Sequence, residues 1–307
     1  MEQINRLNDY YKRTFGSKVY KLSLNGGMTC PNRDGTIDNR GCLFCSRGGS
    51  GDFATDPSLS ITAQIDKARE KVSRKIKYGK YISYFQAFTN TYASPDYLRR
   101  IYFEAIAPED IVGLSIGTRP DCFNDEKYSL LSEINKIKPV YVELGLQTIH
   151  QKTADFIRRG YDLSVFEKAV ASLLAINVNI VVHVIIGLPD EGLKEILETI
   201  NYINSLSVNG IKLQLLHILR DTDLAEYYLD KSNNFHLLSL EEYAYILGEC
   251  VNHLRPDIVV HRLTGDGPKK DLIAPLWSAD KKRVLNYINK YFKDNNIVQG
   301  RKYSNGS

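Results

Sequence analysis

Three of the five cysteines in this chain, Cys30, Cys42 and Cys45, fall within sixteen residues and are spaced C-x11-C-x2-C. Thiolates gathered this tightly hold a metal or carry out redox chemistry. The trio can be read as three ligands of a structural zinc with His or Asp as the fourth. Such sites usually pair two cysteine knuckles, and here there is one, Cys42-Leu-Phe-Cys45. A dithiol redox pair at Cys42 and Cys45 would leave Cys30 without a role. Cys250, between Leu247 and Val251, reads as a buried helix thiol, and Cys122 as a thiol just past a strand end.

A second set of chemical residues sits inside or just after apolar runs. Asn90, Thr91 and Tyr92 lie in Phe88-Thr-Asn-Thr-Tyr-Ala93, and Arg119, Asp121 and Cys122 in Gly117-Thr-Arg-Pro-Asp-Cys122. Glu143 and Gln147 bound Glu-Leu-Gly-Leu-Gln, His183 and Gly187 belong to His183-Val-Ile-Ile-Gly-Leu-Pro-Asp-Glu191, and His217 to Gln214-Leu-Leu-His-Ile-Leu-Arg-Asp221. His261, Arg262 and Asp266 share His261-Arg-Leu-Thr-Gly-Asp-Gly-Pro268. Polar groups within apolar strands are costly unless paired, so several at the same end of one sheet imply a ligand cavity. A lone strand histidine is by default a satisfied core group, but three on one sheet point to cavity lining. Glu143, within Val-Tyr-Val-Glu-Leu, is either a buried ion-pair partner or a ligand, and a ligand role is the expectation.

Placing these groups together requires a repeating strand–helix pattern, and the periodicity supplies one. Strands are predicted at 19–24, 81–88, 111–117, 140–146, 178–186, 211–218 and 257–263. Helices are predicted over 61–80, 94–105, 124–136, 149–158, 163–176, 193–206, 222–229, 239–255 and 279–292. Ser94-Pro95 is an N-cap and first-turn pair, and Ser239 with Glu242 is a capping box. Strands dense in Val, Ile and Leu that alternate with helices imply a parallel sheet with helical crossovers. Six such units before Ser239 predict an α/β fold, an incomplete (β/α)6 TIM-like barrel with a small C-terminal α/β extension. A doubly wound sheet has the same periodicity, but no Gly-x-Gly-x-x-Gly follows a first strand. The expected divisions are a lead-in helix (1–17), the barrel (18–237), the extension (238–300) and a mobile tail (301–307). In a barrel of this kind the site lies at the C-terminal ends of the strands.

The cysteine loop resembles the cluster loop of the radical S-adenosylmethionine (SAM) superfamily, whose hallmark ends in Cys-x-aromatic-Cys, here Cys42-Leu-Phe44-Cys45. The usual spacing puts three residues between the first two cysteines; eleven is similar to relatives of the elongator catalytic subunit. Gly-Thr-Arg-Pro-Asp, Val-Glu-Leu-Gly-Leu-Gln, Arg159-Gly160 and Gly-Leu-Pro-Asp-Glu resemble that branch. Thr-Cys-Pro-Asn-Arg-Asp-Gly, Phe-Thr-Asn-Thr-Tyr and His-Arg-Leu-Thr-Gly-Asp resemble its bacterial YtqA/YhcC-type subgroup, and the likeness runs from about Lys18 to Lys282. The resemblance implies a [4Fe–4S] cluster on Cys30, Cys42 and Cys45 with one iron open to SAM. It implies reductive cleavage of SAM to a 5′-deoxyadenosyl radical, fed by an external electron donor such as flavodoxin or ferredoxin. It further implies Phe44 near the adenine, and Asn90, Thr91 and Tyr92 facing the methionine amino group. Glu143 and Gln147 would meet the ribose or methionyl end, Arg159 the carboxylate, and His183 and the Gly187 turn the far side of the cofactor. Arg119, Asp121, Cys122, His217, His261, Arg262 and Asp266 are left as catalytic or substrate candidates. For the substrate, the resemblance to the YtqA side of the subgroup implies tRNA wobble-uridine modification, from carboxymethylaminomethyl toward the aminomethyl and methylaminomethyl forms of 2-thiouridine. A small-molecule substrate, or a zinc-stabilised RNA-binding protein without radical chemistry, are the other readings.

Composition constrains the setting. Lys+Arg 40 against Asp+Glu 36 gives +4, a mild excess compatible with an anionic partner such as tRNA. Lys269-Lys270 and Lys281-Lys-Arg283, with Trp277 and Tyr291 near in sequence, suit RNA contact as well as they suit solvent. The basic face of 67–80 is by default a solvated helix face. Five cysteines is an odd and sparse count for a disulfide scaffold, and the first residues lack the apolar core of a signal peptide. No run of about 18 apolar residues exists. A reducing cytoplasm without membrane attachment is the expectation.

Overall fold

The computed structural model of the protein describes residues 3–49, 51–73, 79–233, 235–265 and 267–304. Helix α1 (Leu7–Phe15) precedes β1 (Val19–Leu24), and the cysteine loop then leads to α2 (Ile61–Ser73). The repeat continues as β2 (Lys80–Phe85), α3 (Pro95–Ile106), β3 (Ile111–Thr118), α4 (Asp125–Asn135) and β4 (Val140–Gln147). Next come α5 (Gln151–Phe156), α6 (Leu163–Ala175), β5 (Asn179–Ile186), α7 (Leu193–Ser205) and β6 (Gly210–Leu215). The C-terminal part holds β7 (Ile218–Leu219), α8 (Asp223–Leu229), α9 (Leu240–His253), β8 (Val259–Arg262), β9 (Leu272–Ala274) and α10 (Lys281–Asp294).

Seven strands form one parallel sheet in the order β1-β2-β3-β4-β5-β6-β8, and β7 pairs antiparallel with β9. Each strand adds to the same edge as its predecessor, which winds the sheet into a barrel rather than a doubly wound layer. The sheet curls. In a flat one β1 and β4 would stand about 14 Å apart, at about 4.8 Å per strand. Yet Lys21 of β1 donates to Glu143 of β4 at 2.5 Å, and Glu143 also meets Lys212 of β6. The barrel is incomplete, as predicted. Its open side is spanned by the N-terminal segment, where Arg6 bridges to Val260 and Val260 N donates to Asn5 O at 2.8 Å. Beneath, Tyr11 of α1 packs edge-on against Tyr141 and closes the base with Val19 and Ile82.

The capping predictions hold. Tyr97 N donates to Ser94 Oγ, while Ser239 and Glu242 bond reciprocally at the start of α9. Three differences have physical reasons. The strand predicted at 257–263 is not part of a separate extension but pairs with β6 as the seventh strand of the barrel sheet. Periodicity shows that a strand exists, not which sheet receives it. The strand predicted at 211–218 breaks at Leu216–His217, where the chain leaves the sheet for the β7–β9 pair. Residues 301–304, expected in a mobile tail, are tied back to α9: Lys302 N donates to Asn252 O at 2.7 Å and Lys302 Nζ to Glu249 at 2.7 Å. Residues 74–78 of the predicted 61–80 helix lie outside the described residues. No helix among those described is long and apolar enough to cross a membrane.

Candidate active site

The cysteine loop is fastened across the C-terminal ends of the strands. Asn32 Nδ2 donates to the carbonyls of Arg158 at 2.7 Å and Arg159 at 3.3 Å. Leu43 N donates to Ile157 O, and Leu43 O accepts from Leu224 N. Arg33 turns inward onto the carbonyls of Ser46 and Cys45, at 2.6 and 3.0 Å. Further on, Gly51 lies against the end of β2 so closely that a Cβ would stand 2.6 Å from Ala87 Cα; only glycine permits this approach.

The three thiols are brought together on the wall of a cavity inside the mouth of the barrel, and none is in a disulfide. The hydrogen bond from Cys45, with Arg119, Asn32 and Arg33 close by, pulls the Cys42 thiol below its ordinary value. Cys45 is pushed up by holding that bond and by burial. Donors and cations aimed at sulfur favour thiolate, so this end of the cavity fits a thiolate-held cluster.

The opposite end is polar and deeply buried. Glu143 is 1% exposed and takes five donors. Oε1 accepts from Lys21 and from Ser115 Oγ at 2.7 Å. Oε2 accepts from His183 Nε2 at 2.8 Å, Tyr84 Oη at 3.0 Å and Lys212. Burial raises the Glu143 carboxyl, but Lys21, Lys212 and the His183 bond outweigh it and hold it well below the carboxylate range. Burial and the Lys212 charge depress His183 to about 4, so its imidazole is neutral: Nε2–H donates to Glu143 and Nδ1 faces Gln214.

Several expected ligands have other duties. Both oxygens of Glu143 are engaged within the protein, so it anchors the floor rather than offering a free carboxylate. Arg159, 2% exposed, lines the cavity but spends its guanidinium on the carbonyls of Leu146, Thr148 and Tyr161. Asn90 Nδ2 binds the carbonyls of Phe85 and Gly117; Thr91 Oγ1 meets Thr118 Oγ1 at 2.6 Å; Tyr92 Oη meets Thr36. These three brace the turn after β2, whose cavity-lining members are Gln86, Phe88 and Thr89. The turn runs that way because Phe88 adopts φ +59°. Gly187, at φ +92°, makes the turn after β5 behind the cavity wall and packs against Leu238 rather than lining the pocket.

Other expectations agree with the geometry. Phe44 and His183 line the cavity, and so does Gln147, whose Oε1 is buried with no partner among the described residues. That orphaned acceptor fits the hydroxyl or amine of a bound nucleoside. Arg119 lines the cavity on a two-pronged pair with Asp121, at 2.9 and 2.6 Å. Cys122 is buried behind that pair, its thiol pushed up by burial and by Asp121, and does not line the cavity. His217 lines an adjoining cavity that shares Phe44, Gln86, Gln214 and Arg262 with the first, its ring against Gly265 and Gly267. His261 lies half-buried in the barrel, driven toward its neutral form by desolvation and by Lys21 and Lys212. Asp266 lies outside the described residues. Sequence reasoning missed Lys21, Tyr84 and Lys212. Their signal was present: lysines inside Val-Tyr-Lys-Leu-Ser-Leu and Ile-Lys-Leu-Gln-Leu are the same anomaly that singled out Glu143.

Comparison with known proteins decides the family. A model described as the Radical SAM superfamily matches residues 39–203, and a Radical_SAM C-terminal domain model matches 208–294. The chain belongs to the radical SAM superfamily. This radical SAM protein is 40% identical to the uncharacterized protein YtqA of Bacillus subtilis (strain 168), over 98% of this chain and 92% of that one. It is 35% identical to the protein YhcC of Escherichia coli (strain K12), over 96% and 94% of the two chains. Among solved structures, archaeal Methanocaldococcus infernus Elp3 shares the fold, with a TM-score of 0.68 at 17% identity. That likeness covers 92% of this chain and 64% of the Elp3 chain. Methylornithine synthase (PylB) shares it at a TM-score of 0.53 and 9% identity, over 89% and 81% of the two chains.

Proposed function

We propose that this radical SAM enzyme holds a [4Fe–4S] cluster on Cys30, Cys42 and Cys45, cleaves SAM, and modifies the wobble uridine of tRNA. One observation carries the first part: three thiols, with Asn32 Nδ2 donating to Cys42 Sγ, share one cavity with the orphaned Gln147 Oε1. When bound, cluster and SAM supply one-electron reductive cleavage of the sulfonium, and with it hydrogen abstraction from a substrate carbon. The chain's own residues do the rest. Asn32, Arg33 and Arg119 favour the thiolate form of Cys42. Phe44 offers an apolar face for a base, and Gln147 Oε1 accepts a hydrogen bond. The loop above and the Glu143 floor below exclude bulk water, which protects a reactive intermediate.

The tRNA part is supported by the subgroup resemblance and by the exposed basic side chains of α10: Lys281, Lys282, Arg283, Lys290 and Lys293. Cytoplasmic location and an external one-electron donor such as flavodoxin or ferredoxin belong to the same reading. Anaerobic protein should be brown and release methionine from SAM on reduction, and Cys30→Ala, Cys42→Ala and Cys45→Ala should each lose the iron–sulfur absorbance. A colourless protein with one stoichiometric zinc after reconstitution would sink the reading. Nucleoside mass spectrometry of tRNA from a deletion strain tests the substrate, and unchanged wobble uridines remove tRNA from it.

A further inference from the structure

The cavity is charged in two tiers. At the mouth, Arg33 and Arg119 stand beside the thiols. At the floor, two ammonium groups converge on one carboxylate: Lys21 on Oε1 of Glu143 and Lys212 on Oε2. Tyr84 lies between them, its ring centroid 4.7 Å from Lys21 Nζ and 4.9 Å from Lys212 Nζ. The floor thus holds more positive than negative groups, and burial drives both of its histidines toward the neutral form. A buried excess charge costs several kcal/mol unless a counter-ion arrives or a proton leaves. The strain is visible in Lys212 itself, which burial, with Lys21 and Arg262 adding to it, lowers to about 7 despite the Glu143 carboxylate.

The two lysines are not equivalent. Lys212 lines the cavity; Lys21 sits behind Glu143 and does not. Lys212 has two acceptors among the described residues, Glu143 and Tyr84 Oη at 3.2 Å. An ammonium carries three donors, so one remains for the space it borders. Gln214, held toward His183 Nδ1, and the Arg262 side chain border the same space.

We propose that the barrel floor is an anion subsite, in which Lys212, backed by Glu143, Lys21 and Tyr84 and bordered by Gln214, receives a carboxylate or phosphate group of the substrate. This deepens the radical SAM reading, because it rests on the substrate entering the same cavity. Glu143 does not compete with the incoming anion for every donor; it fixes the ammonium in place and leaves the net charge positive. The anion can come from two sources, a carboxylate substituent on the reacting group or the phosphate of a nucleotide.

Calorimetric titration of the anaerobic, cluster-loaded full chain with acetate, and separately with inorganic phosphate, tests the subsite. Saturable binding of acetate alone assigns a carboxylate, and of phosphate alone or of both a phosphate-sized site. Lys212→Met should weaken that binding roughly tenfold to a hundredfold, the worth of one charge-assisted hydrogen bond. Glu143→Gln removes the internal counter-charge and should tighten it, a sign that a purely structural role for the cluster does not produce. If Lys212→Met does not fold, the Glu143→Gln titration stands alone. No saturable binding of either anion overturns the proposal, as do equal affinity in Lys212→Met and weaker binding in Glu143→Gln. Saturating SAM that abolishes acetate binding also overturns it, since the subsite would then belong to the cofactor. Methionine release on reduction is scored in parallel. Its absence in the parent protein sinks the radical reading and leaves the anion titration to be judged on its own.

Discussion

Arg159 offers the sharpest division between a structural and a ligand role. Its guanidinium makes four hydrogen bonds shorter than 3.2 Å: to Leu146 O and Thr148 O on one side, and twice to Tyr161 O on the other. It also lies over the Tyr161 ring at 4.7 Å, and its own carbonyl accepts from Arg119. Arg159→Met fills similar volume but takes its donors from three carbonyls, leaving Thr148 O and Tyr161 O unsatisfied while Leu146 O keeps the Thr148 N–H. At roughly 1–3 kcal/mol for each buried unsatisfied group, and less than additively within one network, the loss should be about 4 kcal/mol. That is a large part of the roughly 5–15 kcal/mol that holds an ordinary domain together. Arg159→Lys keeps the charge but cannot reach carbonyls on both sides from one point, so it should recover only part. Urea unfolding of the cluster-free protein measures this without any cofactor present. If Arg159 instead waits for a carboxylate, the Met variant would unfold within about 1 kcal/mol of the parent and only SAM binding would suffer. That result refutes the clamp.

Two further outcomes follow from the same geometry. Gly51→Ala drives a methyl group into Ala87 and should lift the cysteine loop from β2, at about 1–3 kcal/mol for overpacking. Iron content should fall while far-ultraviolet circular dichroism stays unchanged; full iron loading would show that the loop tolerates the shift. Acid should weaken the fold before ordinary carboxylates titrate. His183 takes a proton near 4 in the folded protein and 6.5 when unfolded, so the unfolded chain binds more protons between those values and stability drops as pH falls through them. At about 1.4 kcal/mol per pH unit the window is worth about 3 kcal/mol. Glu143, held low, adds a further loss below it. Urea midpoints from pH 7 to 4 should show the decline, and His183→Gln should flatten its upper part.

Much of the site was legible before any coordinates. Helical and strand periods placed nearly every element of the barrel, and the buried-charge argument picked out Glu143 and His183. What it could not supply was who satisfies whom. The partners of Glu143 lie 122 residues away in Lys21 and 69 in Lys212, and no local pattern links them. The family resemblance implies Arg159 as a carboxylate ligand, whereas the acceptors it has here are main-chain carbonyls, which carry no side-chain signature. Asn90 to Tyr92 were placed correctly at a strand end. The left-handed Phe88 decides which way that turn faces, and a phenylalanine in that conformation is uncommon enough to escape prediction.

The seam where Arg6 bridges to Val260 has a consequence in time. A ribosome adds Val260 roughly 250 residues after Arg6, at about 5–20 residues per second, so the first segment waits roughly 13–50 s for its partner. The cysteine loop waits almost as long, because Leu43 and Arg158 rest on residues 223 and 224. During that interval the thiols exist without walls. A nascent chain therefore exposes three cysteines to oxidation and stray metal long before it can shelter a cluster. The proposed cluster would then find its walls only once residues 223 and 224 have joined the loop.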